Sequence, residues 1–216
     1  MRNKSGKWIS MIGAARAAMV IALAVCTTSA YSASKAVLVL GDSLSAEYGL
    51  SRGDGWVALL EKRLAEAKID ATVVNASISG ETTSGGKSRL SALLAKNRPA
   101  VVVVELGAND GLRGLALSDT QKNLREIINT SKKAHARVVL VGMQLPPNYG
   151  TDYTKRFAAQ FPALAKETRS ALVPFMLEGV VTQPQLFQAD RIHPTAAAHP
   201  IILDNIWPHL KPLLTK

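Results

Sequence analysis

Cysteine is almost missing from this sequence. The 216-residue chain has one, Cys26, inside an N-terminal stretch that reads as a leader. The chain beyond it has no thiol, which excludes a cysteine nucleophile, a disulfide framework and a zinc–thiolate centre. Aromatic residues are scarce at 5%, and the basic residues are spread along helix faces rather than clustered with aromatics. Nucleic acid is therefore not an expected partner. Internal repeats and low-complexity tracts are absent, which excludes solenoids and disordered tails. The Gly-x-Ser-x-Gly motif of the common nucleophile elbow is absent too. Finally, no acidic residue precedes Ser34.

That last absence frames the leader. Arg2, Lys4 and Lys7 form a basic start, Ala17 to Val25 an apolar run, and small residues follow. This is the pattern of a secretory signal peptide, and the run is shorter than the roughly 20 residues that cross a bilayer. Cleavage is expected after Ala30, Ser32 or Ala33, leaving one domain over residues 34–216 in the periplasm or outside the cell. An uncleaved anchor and lipidation at Cys26 are the alternatives. The net charge of +10 falls to +6 once Arg2, Lys4, Lys7 and Arg16 are removed. Such an excess suits transient contact with anionic membrane surfaces, although solvated helix faces explain it as simply.

What is present is an alternation of short apolar runs with longer helical patterns. Strands are expected at 36–40, 71–76, 100–106, 137–142 and 171–175. Their unbroken Val and Leu content indicates burial on both faces of a parallel sheet. Asp54 is expected to cap a helix bearing Trp56, Leu60 and Leu64, and Ser118 with Gln121 to cap another. A helix over 152–169 should break or kink at Pro162, and the segment from Thr195, with Pro200 and Pro208, should be irregular. The result is an open three-layer α/β sandwich, in which function sits at the carboxyl ends of the strands.

At those ends stand Gly41-Asp42-Ser43-Leu44-Ser45, a loop containing Gly80, Gly107-Ala108-Asn109-Asp110, and Asp190-Arg191-Ile192-His193-Pro194. A serine nucleophile needs a base, and the base needs a carboxylate that fixes its tautomer. Ser43, His193 and Asp190 supply these parts. The N–H groups of Ser43 and Gly80 and the amide of Asn109 can face an oxyanion. Ser45, two residues on, is the weaker candidate nucleophile. His135, His199 and His209 have no useful acidic partner, and Asp204 with His199 and His209 is assigned to the surface of the last helix.

A rival reading takes Gly86-Lys87-Ser88 as the end of a phosphate-binding P-loop. That motif needs glycine at position 81, where Glu81 stands, with Gly80 one residue too early. Lys87 is then only an exposed residue in the first turn of a helix.

The blocks GDSLS (41–45), SISGETTSGG (77–86), GAND (107–110) and DRIHP (190–194) resemble those of the SGNH hydrolases, or GDSL lipase/esterase family. LVLGDSLSAEYGL, ELGANDGLRG and QLPPNYG resemble its secreted bacterial thioesterase/lysophospholipase/arylesterase group. The resemblance covers the mature chain and implies a flavodoxin-like five-stranded parallel sheet of order 2-1-3-4-5. It also implies a Ser43–His193–Asp190 triad, an oxyanion hole from Ser43, Gly80 and Asn109, and hydrolysis of small or lipid acyl esters and thioesters. Carbohydrate O-acetyl ester hydrolysis, which the same fold supports, is the alternative, and a non-catalytic protein a remote one. No cofactor or metal is expected, and the protein is expected to be a monomer. Asp42, Leu44, Asp110 and Ile192, within the blocks, are expected to contact substrate. So are Gly111 and Leu112, in a mobile loop over the acyl chain, and Leu145 and Pro146, in a stiff pocket wall.

Overall fold

A computed structural model describes residues 35–215. The leader expected over residues 1–33 lies outside the described residues. Five strands form one parallel sheet in the order β2-β1-β3-β4-β5. They are β1 (Lys35–Gly41), β2 (Ala71–Asn75), β3 (Val101–Glu105), β4 (Arg137–Val141) and β5 (Ala171–Val173). β1 and β3 pair at the centre, with Val37 opposite Val101 and Gly41 opposite Glu105. Val37 to Leu40 and Val101 to Val104 are wholly buried. Removing each such side chain from water contributes roughly 1.5–3 kcal/mol, which is why these runs carry no polar alternation.

The helices are α1 (Trp56–Glu66), α2 (Thr83–Asn97), α3 (Ala108–Leu112), α4 (Leu117–Lys133), α5 (Thr151–Thr168) and α6 (His199–Leu214). α1 packs on α6, while α2, α4 and α5 pack side by side, giving the two outer layers. Among the described residues, no helix is long and apolar enough to cross a membrane.

Four local expectations need correction. α5 runs unbroken through Pro162, because its other face seats Phe157, Phe161 and Leu164 in the core. Pro in a helix interior costs roughly 3 kcal/mol or more, and that burial offsets it. The segment after Thr195 is not irregular beyond one short 3-10 turn; it becomes the 16-residue α6. Pro200 falls in its first turn, where a missing N–H costs nothing, and Ile202, Leu203, Ile206, Leu210 and Leu214 bury one face despite Pro208 and Pro212. Neither Asp54 nor Ser118 caps a helix: the cap positions are Gly55 and Ala116, and neither makes a side-chain cap bond. The free N–H of Trp56 at the start of α1 donates instead to His199 Nδ1 at 2.9 Å. His199 is thus a buried long-range cap, not a surface residue.

Gly86 lies inside α2, and a Cβ there would come within 2.4 Å of Leu106. Its bareness serves helix–sheet packing. Thr82 caps α2 by accepting from the Gly85 N–H, and Glu81 pairs with Arg89 over the same turn. Lys87 reaches Glu126 on α4 at 3.1 Å, so it is a tie between helices rather than a free lysine.

Candidate active site

The chain leaves β1 in a tight turn, with the N–H groups of Ser45 and Ala46 donating to the Asp42 carbonyl. Ser43 therefore sits at the strand's carboxyl end with its side chain outward. Its Oγ lies 2.9 Å from His193 Nε2. On the other side of the ring, Nδ1 lies 2.7 Å from Asp190 Oδ2. With the ring proton on Nδ1, donated to Asp190, Nε2 is left free to accept the Ser43 hydroxyl proton.

Local chemistry builds the Asp190–His193 turn. Asp190 Oδ1 accepts from the N–H of Ile192 at 2.9 Å and of His193 at 3.0 Å. Arg191 adopts the left-handed conformation, φ 58°, to close the turn; for a side-chain-bearing residue this costs about 1–2 kcal/mol. The His193 N–H, the His193 ring and then the Ile192 N–H hold the Asp190 carboxyl down at about 2. Asp190 is a permanent anion above that pH.

Asn109 stands in the first turn of α3, after Gly107 at φ 114° ends β3. Its Nδ2 donates to Asp42 Oδ2 at 3.0 Å, which fixes the amide plane and leaves the second N–H to point elsewhere. Gly80 has φ 78°, a conformation that favours glycine. Arg113 donates to its carbonyl at 2.7 Å. Among the described residues, neither the Ser43 nor the Gly80 N–H donates to another protein group. Also among them, no cluster of three His, Cys, Asp or Glu is placed to hold a metal ion.

An open parallel sheet bearing a serine–imidazole–carboxylate line at its carboxyl edge has the architecture of an acyl hydrolase. The chain belongs to the GDSL-like lipase/acylhydrolase family, whose sequence model matches residues 39–201, and it is accordingly an enzyme of acyl-ester hydrolysis. It is 52% identical to "Esterase TesA" of Pseudomonas aeruginosa over 89% of this chain and 96% of that protein. It is 45% identical to "Thioesterase 1/protease 1/lysophospholipase L1" of Escherichia coli K12, over 85% and 86%. A crystal structure of TesA superposes with a TM-score of 0.82 at 53% identity, covering 83% of this chain and all of that one.

Several residues expected to contact substrate are placed otherwise. Asp42 is 1% exposed, and its carboxylate is taken by the Leu44 N–H and by Asn109. Asp110 is 2% exposed and accepts from the N–H and hydroxyl of Thr83 at 2.8 and 2.5 Å, tying α3 to α2. Gly111 packs against Leu145 and Phe157, both of which a Cβ would strike. Gly111 and Leu112 are not a free loop: Tyr153 and Tyr149 donate their hydroxyls to the two carbonyls at 3.2 Å each. Leu44 and Leu145 are buried, whereas Pro146 and Ile192 are exposed. Pro146 precedes a 3-10 turn over Pro147–Tyr149, a stiff turn as expected.

Three contributors escaped the sequence reading. The ring of Tyr48 lies over that of His193, centroids 4.3 Å apart. Gln188 Nε2 donates to the carbonyls of both Tyr48 and Pro194, at 2.9 and 3.0 Å, lashing the histidine turn to the serine turn. Glu105, at the end of β3, is fully buried beside Ser43's own turn. Only Glu105 left a trace in the sequence, as a lone acid closing the run Val-Val-Val-Val-Glu.

Proposed function

We propose that the protein is an exported serine hydrolase that cleaves carboxylic esters and acyl thioesters through an acyl-enzyme. Ser43 Oγ attacks the acyl carbonyl carbon while His193 Nε2 takes its proton, and Asp190 stabilises the imidazolium that forms. The carbonyl π electrons move to oxygen, and the Ser43 N–H, Gly80 N–H and Asn109 amide receive that oxyanion. Collapse expels the alcohol or thiol, which takes the proton from His193. Water then repeats the cycle on the Ser43 ester, releasing the acid. No cofactor or metal enters any step. The observation that carries the reading is the unbroken line Ser43 Oγ–His193–Asp190, at 2.9 and 2.7 Å.

Esterase, thioesterase and lysophospholipase activities named among its relatives support acyl esters and thioesters as the substrate class. The basic, apolar, small-residue order of residues 1–33 supports export of the protein. The test is a series of p-nitrophenyl esters and acyl thioesters of increasing chain length, run beside Ser43→Ala. Rates rising beyond about six carbons support this reading, and a sharp preference for acetate contradicts the substrate class. Full turnover by Ser43→Ala contradicts the mechanism itself.

A further inference from the structure

Two buried carboxyl groups lie directly behind the nucleophile, and the reaction as written uses neither. Asp42 and Glu105 are each 1% exposed. Among the described residues, neither is ion-paired with a lysine or arginine. Glu105 Oε2 accepts from the Ser45 hydroxyl at 2.7 Å and from the Asp42 N–H at 3.2 Å. Ser45 in turn accepts from the Trp56 indole N–H at 3.2 Å. Asp42 accepts from the Leu44 N–H and from Asn109 Nδ2. Glu105 thus lies against the Asp42 backbone, and two carboxyl groups so placed can hydrogen-bond to each other only with a proton on one of them. Space has been kept for this arrangement. A Cβ on Gly41 would lie 2.8 Å from Glu105 Oε2 and from Ser45 Oγ, so the glycine that opens the nucleophile block is bare because a buried acid occupies its side-chain volume.

Isolated burial of two carboxylates side by side is expensive, and one shared proton is the cheap solution. Burial raises both groups, Asp42 to about 6 and Glu105 well above the usual carboxylate range. His193 is the positive group facing Asp42 when protonated.

We propose that Asp42 and Glu105 form a one-proton pair that positions the oxyanion donors. Glu105 stays neutral, keeping the proton and donating a hydrogen bond to the Asp42 carboxylate. Asp42, as the anion, grips one N–H of Asn109 so that the other is aimed at the oxyanion before substrate arrives. Through its Oε2, Glu105 also holds the Asp42 and Ser45 ends of the turn that carries Ser43. Both are positioning residues: neither touches substrate. The role rests on the triad reading above.

The experiment compares kcat and KM for Asp42→Asn, Glu105→Gln and Glu105→Leu against Ser43→Ala on one medium-chain p-nitrophenyl ester. Melting is followed throughout. Asp42→Asn preserves shape but removes the charge that grips Asn109; kcat should fall about tenfold with KM within a factor of two. Glu105→Gln keeps a neutral donor toward Asp42 and an acceptor for Ser45, so it should retain kcat within about threefold. Glu105→Leu loses both and should fall at least tenfold; where it does not fold, the first two variants decide. Wild-type kcat in Asp42→Asn overturns the pair. So does a more than tenfold kcat loss in a folded Glu105→Gln, or losses confined to KM. If Ser43→Ala is inactive while Asp42→Asn is unaffected, the pair alone fails. If Ser43→Ala is active, the triad fails with it.

Discussion

Two acidic regions flank Ser43, and they are built in opposite senses. At the surface, Asp190 receives two backbone N–H groups and an imidazole, and it is held down at about 2. Beneath the serine, Asp42 and Glu105 are enclosed by the sheet and pushed upward, Asp42 to about 6. The same side-chain chemistry thus yields a fixed charge in one place and a reluctant one in the other. Donors make the first, and desolvation makes the second. The difference follows from task. In the proposed mechanism the base must be oriented by a charge that stays ionised at working pH, whereas a frame behind the proposed oxyanion donors must be dry to hold its geometry.

Breaking the surface region should have the larger effect. Ser43→Ala removes the nucleophile and should lower kcat by roughly 10⁵-fold or more, measured as single-turnover ester cleavage. Asp190→Asn keeps an acceptor for the Ile192 and His193 N–H groups but loses the charge. A fall of about 10⁴-fold in kcat is expected, checked with steady-state kinetics on a short ester. Asn109→Ala removes an oxyanion donor and should cost about 10²–10³ in kcat with little change in KM.

The buried region is sharpened by stability rather than rate. A carboxyl whose folded value lies above its unfolded one binds protons more tightly when folded. Its contribution to stability is complete below about 3.8 and is lost as pH rises through about 6. Asp42→Asn should therefore melt a few degrees higher than wild type at pH 8, and the gap should close toward pH 4, as followed by calorimetry. Asp190 has the reverse sign: its stabilisation is present above 3.8 and is lost as pH falls toward about 2.

His199 supplies the smallest effect. Burial lowers its affinity for a proton, and the Trp56 N–H bond needs Nδ1 unprotonated. The cap is thus intact above about 6.5 and weakens as pH falls below it, in the window under its ordinary value. His199→Ala should cost about 1 kcal/mol at pH 8, and less at pH 5, by urea unfolding.

The sheet was legible because nothing competes with an unbroken Val and Leu run between turn signals. The expected and observed strands differ by one or two residues at their ends. The four blocks at the strand ends were legible for the same reason, since topology alone brings them to one edge. α6 was misread because Pro200 and Pro208 outweighed its 202, 203, 206, 210, 214 apolar period, and packing reversed that order. The Gln188 lash, the Tyr48 ring and the His199 cap join positions 140 or more residues apart. Local pattern carries no signal for such pairs. Asp42 and Asp110 were read as pocket residues because they stand within the blocks, but membership of a block does not say which side of a turn faces solvent.

The most direct test is active-site labelling of the enzyme with a fluorophosphonate probe, located by peptide mass analysis, beside Ser43→Ala. A single adduct on Ser43, matched by loss of esterase activity and absent from Ser43→Ala, is the expected result. An adduct on Ser45 or another residue, or full labelling and turnover in Ser43→Ala, would contradict the assignment of Ser43 as the residue that carries the acyl group.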